Sequence, residues 1–533
     1  MNAGAALANT LWLARGLGDA RRFTQALANP RAAQDTWLRY QLARHAASEF
    51  GRTHAFASIR NPAEFIRRIP LTDYAGITPH LQRIRRGARD VLACGRVTHL
   101  APTSGSTGAR KLIPFSASLQ RGFGAALGAW MLDLARHRPA IVGGAAYWSV
   151  SPLAEPDDED SPSPDAIPVG HADDADYLGG ASAWLVRQTL AVPATLRHVR
   201  DMPAFWSLTL LALLRRRDLR LISVWHPSFL DLLVGSAAAS WHELLEGLSS
   251  GECPWVHALP SAARGDWRSP PDPARAAELR RVGPDDWPRW WPRLQIVSCW
   301  GEQAAETGWH RLRRRLPHVL VQAKGLLATE AVVTIPLGAD RPLAVTSHFF
   351  EFLDEQGGVR QSHELVRGEI YELVVTNGGG LWRYRLGDVV ECTGHVRATP
   401  SLRFLGRAGC VSDLRGEKLS EAFVAEALRG LWPPAARPAY VALQARESNG
   451  TAGYDLMVST ESLSGAGADL GMRLESALRA NPHYALARRL GQLEVLRVVP
   501  VTADRACAEL AAHSGRLGDA KPRVLVGLCE RRA

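Results

Sequence analysis

Between Leu294 and Gln322 the chain spells out a β-α-β unit, and no other stretch restricts the fold as much. Leu294 to Cys299 is a short apolar run, Gly301 turns the chain, Gln303 to Leu316 carries a helical pattern, and Val319 to Gln322 is a second apolar run. Two strands joined through a helix lie parallel, and their crossover is right-handed almost without exception. Open parallel sheets bind ligands beyond the carboxyl ends of their strands. Chemistry is therefore expected in the loops that leave those ends.

The rest of the chain reads around this unit. The first hundred residues are mostly helical, with turns expected at Pro70, Pro79 and Gly87. Val97 to Leu100 reads as a strand, and Ser116 as the N-cap of a helix running to about His137. Tyr371 to Thr376 and Leu381 to Glu391, joined by Asn377-Gly378-Gly379-Gly380, read as a β-hairpin. Beyond residue 411 the pattern restarts: a helix from Ser420, strands near Tyr440 to Gln444 and Tyr454 to Ser459, a helix near Arg473 to Ala480, and a strand at Leu493 to Val499. The expected class is α/β. A large domain (1–411) holds the parallel β-α-β units and a hairpin or barrel region, 412–418 is a hinge, and a small mobile α+β domain fills 419–533.

With 46% hydrophobic residues in 533, the chain can bury a core large enough for at least two domains. Its seven cysteines are scattered, odd in number and without a Cys-x-x-Cys pair, which argues against a disulfide framework or a zinc site and fits a reducing cytosol. The N-terminal apolar stretch lacks a basic leader and makes a poor signal peptide, and Met202 to Leu214 is too short to span a bilayer. Residues 155 to 165 form an acidic, Pro-rich loop expected to be mobile. The formal charge of +10 raises nucleic acid as a partner, but the arginines are spread along helical segments such as Arg311 to Arg315 without a reader motif. A soluble cytoplasmic monomer that binds neither nucleic acid nor membrane is the expectation.

Only four lysines, Lys111, Lys324, Lys418 and Lys521, stand against 59 arginines. Ammonium is a compact point charge and guanidinium a wide planar fork, so each surviving lysine raises the question of what it does. All four lie beside Gly-, Ser/Thr- or acid-containing stretches, a joint pattern that favours a phosphorylated ligand. Thr103-Ser104-Gly105-Ser106-Thr107-Gly108-Ala109-Arg110-Lys111 follows the Val97 strand. Small residues let backbone N–H groups approach an anion, hydroxyls add donors, and the lysine adds charge. It is not the Walker loop, because Ala109 and Arg110 intervene and Leu112 follows the lysine. Gly465-Ala466-Gly467 lacks the third glycine of a dinucleotide fingerprint, and no Gly-x-Ser-x-Gly elbow or His-Glu-x-x-His is present.

Three further loops complete a set: Lys324-Gly325-Leu326-Leu327-Ala328-Thr329-Glu330, Trp382-Arg383-Tyr384-Arg385-Leu386-Gly387-Asp388-Val389-Val390, and Phe404-Leu405-Gly406-Arg407 leading into Gly416-Glu417-Lys418-Leu419-Ser420-Glu421. In this order they resemble the adenylate-forming superfamily of acyl-CoA synthetases, peptide-synthetase adenylation domains and luciferases. More closely, the chain is similar to its Gretchen Hagen branch, the auxin-responsive acyl acid-amido synthetases. The resemblance runs from Asn29-Pro30 through Pro70-Leu71-Thr72-Asp73-Tyr74 and Ile167-Pro168-Val169-Gly170 to Lys521-Pro522-Arg523, and Phe349-Phe350-Glu351-Phe352 is specific to that branch. Ala328-Thr329-Glu330 stands where the plant pattern has Ser-Ser-Glu, and Asp519-Ala520 stands where a Gln-containing stretch is usual, which suggests a bacterial-type member.

The resemblance implies ATP and magnesium as cofactors, with a carboxylic acid and an amine or amino acid as substrates. It implies that Thr103, Ser104, Gly105, Ser106, Thr107, Gly108 and Lys111 hold the triphosphate, and that Thr329 and Glu330 meet the phosphate, Glu330 reaching magnesium through it. Asp388 would take the ribose hydroxyls, with Arg407 near the same ribose. Lys418 at the hinge would contact phosphate in the first half-reaction, and Lys521 corresponds to the superfamily's mobile C-terminal lysine. Lys418, Lys521 and Glu330 are the implied catalytic residues; Lys324 has no implied role. The implied activity is adenylation of the acid with release of pyrophosphate, then transfer of the acyl group to the amine. An acid–CoA ligase making a thioester from the same adenylate is the alternative, and a non-catalytic nucleotide or nucleic-acid binder a more distant one.

Overall fold

The computed structural model describes residues 2–103, 111–150, 167–170, 174–302, 305–408, 411–412, 414–415, 417, 419–433, 436–448, 451–460, 467–489, 492–502, 505 and 523–526. Ser104 to Gly108, the acidic loop, Lys418 and Lys521 lie outside them.

The N-terminal hundred residues are helical, as expected, and lead into the antiparallel pair β1 (Val97–Pro102) and β2 (Leu112–Ser116). Pro79 departs from the expected turn: it lies inside helix Tyr74–Arg85, which Asp73 caps. Burial of Ile77, Leu81 and Ile84 on one face holds that helix across the missing backbone donor. Ser116 caps helix Ala117–His137 by accepting from the Leu119 N–H.

β3 (Ala145–Trp148), β4 (Leu219–Ser223), β5 (Ile296–Cys299) and β6 (Leu320–Ala323) pair in that order, all parallel. Helix Glu306–Arg315 crosses from β5 to β6, so the β-α-β unit read from sequence is in place. The sheet is covered on both faces. Leu221 and Ile296 face the layer containing helix Ala117–His137, while Ile222, Val297 and Val321 face helix Met202–Leu214. That helix, apolar all round, lies in the core. Among the described residues no helix is long and apolar enough to cross a membrane.

The hairpin region is a five-stranded antiparallel sheet of β7 (Phe349–Leu353), β8 (Val359–Gln361), β9 (Ile370–Thr376), β10 (Tyr384–Val396) and β11 (Thr399–Arg407), ordered β11-β10-β9-β7-β8. A two-residue ribbon, β12 (Val411–Ser412) with β13 (Leu419–Ser420), leads out of it. The C-terminal part is α+β: β14 (Val441–Ser448), β15 (Thr451–Ser459), β16 (Arg497–Val501) and β17 (Leu525–Val526), in the order β16-β15-β14-β17, with helices Glu421–Arg429, Gly467–Leu478 and Pro482–Arg489. Leu419, Val424, Leu443, Tyr454, Leu456 and Leu474 belong to a hydrophobic cluster of its own.

Candidate active site

Asp388 owes its position to a break in β10. Pairing with β9 slips between Arg385 and Val389, and Gly387 adopts φ +77°, which glycine enters at little cost. The bulge places the fully buried Asp388 opposite Arg407 on β11. Arg407 Nε lies 3.0 Å from Asp388 Oδ1, while its NH1 donates to the Leu386 carbonyl at 3.0 Å. The approach to Asp388 has the distance of a hydrogen bond but lacks the alignment, and neither Asp388 oxygen has a hydrogen-bond partner. A buried carboxylate in that condition is costly unless something else bonds to it.

Thr329 and Glu330 form the tip of a tight turn closed by Ala328 and Ala331, whose backbones bond to each other at 2.9 and 3.2 Å. Glu330 is buried, and burial pushes its carboxyl above the usual range; Arg407 and Lys111 act in the opposite direction, while Asp388 adds to the rise. Two regions far apart in sequence thus share one electrostatic neighbourhood. Tyr384 belongs to it too. Burial first, then Glu330, pushes its hydroxyl well above the ordinary tyrosine range, so it remains a donor.

Lys111 and Thr103 flank the Ser/Thr/Gly loop. The Thr103 N–H donates to the Lys111 carbonyl at 2.9 Å, clamping the base of the loop, and Thr103 Oγ1 is buried without a hydrogen-bond partner. Lys111 Nζ stands 5.6 Å from the centre of the Tyr74 ring, whose hydroxyl accepts from the Leu112 N–H at 2.9 Å. Of the residues read from sequence, Lys111, Glu330, Asp388 and Arg407 are thus brought together, with Thr329 and Thr103 on the adjoining turns. Ser104, Gly105, Ser106, Thr107, Gly108, Lys418 and Lys521 lie outside the described residues. Beside Lys418, Glu417 is fully buried and accepts from the Leu414 and Arg415 N–H groups and from the Tyr454 hydroxyl, tying the ribbon to β15.

Sequence reasoning passed over Asn377 and Tyr74. Asn377 Nδ2 donates to the Glu330 carbonyl at 2.7 Å, and its Oδ1 accepts from the Gly379 and Leu381 N–H groups, so it locks the Glu330 turn to the hairpin. Its neighbour Gly378 tolerates no side chain, because a Cβ there would stand 2.5 Å from Ser118 Oγ. Four residues of Asn-Gly-Gly-Gly was a signal of close approach. Tyr74 had a signal in Pro70-Leu71-Thr72-Asp73-Tyr74: Thr72 pairs with Tyr384, bringing that motif against the hairpin.

The site could hold a nucleotide. Asp388 offers two unbonded acceptors to a vicinal diol, Thr103 an unbonded hydroxyl, Lys111 a charge, and Glu330 a carboxylate suited to a divalent cation bound to phosphate. Among the described residues no group of His, Cys, Asp and Glu forms a protein-only metal cluster.

The fold is that of adenylate-forming enzymes. It superposes on a 2-hydroxyisobutyryl-CoA ligase in the postadenylation state with a TM-score of 0.50 and 12% identity, covering 96% of this chain and 89% of that one. More closely, it superposes on AtGH3.15 acyl acid amido synthetase in complex with 2,4-DB with a TM-score of 0.81 and 17% identity, covering 96% and 94%. The GH3 family N-terminal domain matches residues 19–321 and the GH3 family central domain residues 342–407; the chain belongs to the GH3 family. It is 24% identical over 430 residues to the probable indole-3-acetic acid-amido synthetase GH3.12 of Oryza sativa subsp. japonica, covering 72% of this chain and 70% of the relative. Two other curated relatives are matched over 47% and 44% of their own lengths.

Proposed function

We propose that this chain is an ATP-dependent acyl acid-amido synthetase running two half-reactions at one site. In the first, a carboxylate oxygen of the acid attacks the α-phosphorus of ATP, the bond to the bridging oxygen breaks, and pyrophosphate leaves. In the second, the nitrogen of an amine, an amino acid by preference, attacks the acyl carbon. The bond to the AMP oxygen breaks, and the nitrogen gives its proton to solvent.

The observation carrying this reading is Asp388, buried beside Arg407 with both oxygens unbonded and within electrostatic reach of Glu330. Asp388 takes the two ribose hydroxyls, and Arg407 holds its charge in place. Thr103 to Gly108 and Lys111 hold the triphosphate, stabilising charge on its oxygens. Thr329 and Glu330 meet the phosphates; a magnesium ion that Glu330 would hold through them would supply further neutralisation. Lys418 serves the first half-reaction from the hinge, and Lys521 approaches in one orientation of the small domain. The division at 412–418 is supported by the separate cluster around Leu443 and Leu456 and lets one site offer two surroundings. A cytosolic setting is supported by the free Cys94, Cys253, Cys299 and Cys392 among the described residues.

The test is ATP–pyrophosphate exchange across aryl, indole and fatty acids, followed by AMP release with amino acids or with CoA. Acid-dependent exchange and amine-dependent AMP release are expected. AMP release that depends on CoA alone would identify a thioester-forming ligase, and the absence of exchange with every acid would refute adenylation.

A further inference from the structure

Lys324 is the one lysine left without a role, and its surroundings are built rather than incidental. Trp148, Ser223, Ser298 and Gln322 pair in register across β3, β4, β5 and β6, one row on one face at the carboxyl end of the sheet. Two residues upstream in the strands, Leu221 and Ile296 occupy the same face and are packed in the core under helix Ala117–His137. Strands of a parallel sheet covered on both faces normally read as unbroken apolar runs, so three adjacent polar side chains need a reason.

Some of their bonding is internal. Lys324 Nζ donates to Ser223 Oγ at 2.6 Å, and Trp130 Nε1 donates to Gln322 Oε1 at 2.7 Å. The Lys324 ammonium lies 5.2 Å from the Trp225 ring and 6.0 Å from the Trp130 ring. Two groups of the row are not satisfied: Ser298 Oγ and Trp148 Nε1 are buried without a hydrogen-bond partner. An ammonium walled by indoles, with an unbonded hydroxyl and indole N–H in the same row, is a set of donors suited to an anionic oxygen group.

This is a different cationic centre from the nucleotide site. The charges that act most strongly on Glu330 are Arg407, Asp388 and Lys111, whereas Lys324 acts on Cys299 within the sheet. One loop joins the two centres. Leu326 pairs with Val333 and Thr334 at its base, and Thr329 and Glu330 are at its tip. Five residues from Lys324 to Thr329 span at most about 17 Å when extended, which leaves room for an aryl ring or a short alkyl chain.

We propose that Lys324, with Ser298 and Trp148, forms a specificity pocket for a second carboxylate at the far end of the acyl acid, whose reacting carboxylate lies at the Thr329–Glu330 turn. The proposal rests on the adenylation reading for the direction of the acid, but its test does not. Monoacids leave Ser298 Oγ and Trp148 Nε1 unpaired and are selected against; a distal carboxylate supplies their bonds.

Calorimetric titration of the full chain with paired probes, benzoate against terephthalate and octanoate against azelate, reads the preference directly. Wild type is expected to bind the better diacid about thirtyfold more tightly than its monoacid, the scale of one charge-assisted hydrogen bond. Lys324→Met should reduce that ratio to about threefold or less. Ser298→Ala, which deletes a hydroxyl without a protein partner, should lower it severalfold while leaving Tm unchanged, and it decides the matter if Lys324→Met does not fold. Equal binding of mono- and diacids by wild type, or an unchanged ratio in Ser298→Ala and in folded Lys324→Met, overturns the proposal. Pyrophosphate exchange in the same proteins judges adenylation separately: its absence with every acid refutes that reading, while the binding ratio still decides the role of Lys324.

Discussion

Two buried carboxylates of the same antiparallel sheet, Glu351 and Asp388, each face an arginine, and they are bonded in opposite ways. Arg383 reaches Glu351 through Nε at 2.9 Å and NH2 at 2.8 Å, and gives NH1 to the carbonyls of Ile66 and Ile69 at 2.7 Å each. Its backbone sits at φ 47°, a conformation unusual for arginine that this network holds in place. Asp388, with Arg407 3.0 Å away, keeps both oxygens out of any hydrogen bond. The first pair is a clasp between the N-terminal helices and the sheet. The second leaves its carboxylate without a hydrogen bond, as the proposed ribose site requires. Burial and charge pairing alone do not separate structure from function; the bonding left undone does.

The largest effect should come from Asp388→Asn. Losing its charge and one acceptor should lower pyrophosphate exchange about a thousandfold, about 4 kcal/mol in the transition state, with Tm nearly unchanged. A large fall in Tm with wild-type exchange would make Asp388 a second clasp and erase the contrast. Glu351→Gln should behave in the opposite sense. Leaving Arg383 buried without its countercharge should cost about 3 kcal/mol of stability in urea unfolding, while exchange per folded molecule stays near wild type.

Glu330→Gln should lower exchange about tenfold and sharpen the comparison through pH. Burial holds its carboxyl above the usual carboxylate range, so the folded chain binds that proton more tightly than the unfolded one. Stability from this group is therefore complete below about 4.5 and is lost as pH rises through the folded value. The Gln variant should lack that loss and melt higher than wild type at neutral pH; a lower Tm there would count against a ligand-facing Glu330. Lys111→Arg is the mildest change. It keeps the charge but widens the head group beside Tyr74, and should lower exchange about fivefold; an unchanged rate would undercut the weight given to scarce lysines.

What the sequence revealed was local. Ser116 as an N-cap, the Leu294–Gln322 unit and the two strands around Asn377 each depend on periodicity and turn chemistry between neighbouring elements, and all three are present. Pro79 was misread because burial of Ile77 and Leu81 outweighs one lost donor. The links that define the site are long-range: Asn377 to Glu330, Tyr74 to Leu112, and Glu351 to Arg383. No spacing encodes such pairs. Asp388 stood out through its string, yet its unbonded oxygens became visible only once the β10 bulge was placed.

In the proposed function those oxygens bond the ribose. Calorimetry of wild type and Asp388→Asn with ATP and with dideoxyadenosine triphosphate tests it most directly. Wild type should prefer ATP by about a thousandfold, the scale of two charge-assisted hydrogen bonds, and the variant should bind both nucleotides alike. A variant that still prefers ATP as strongly as wild type does would contradict it.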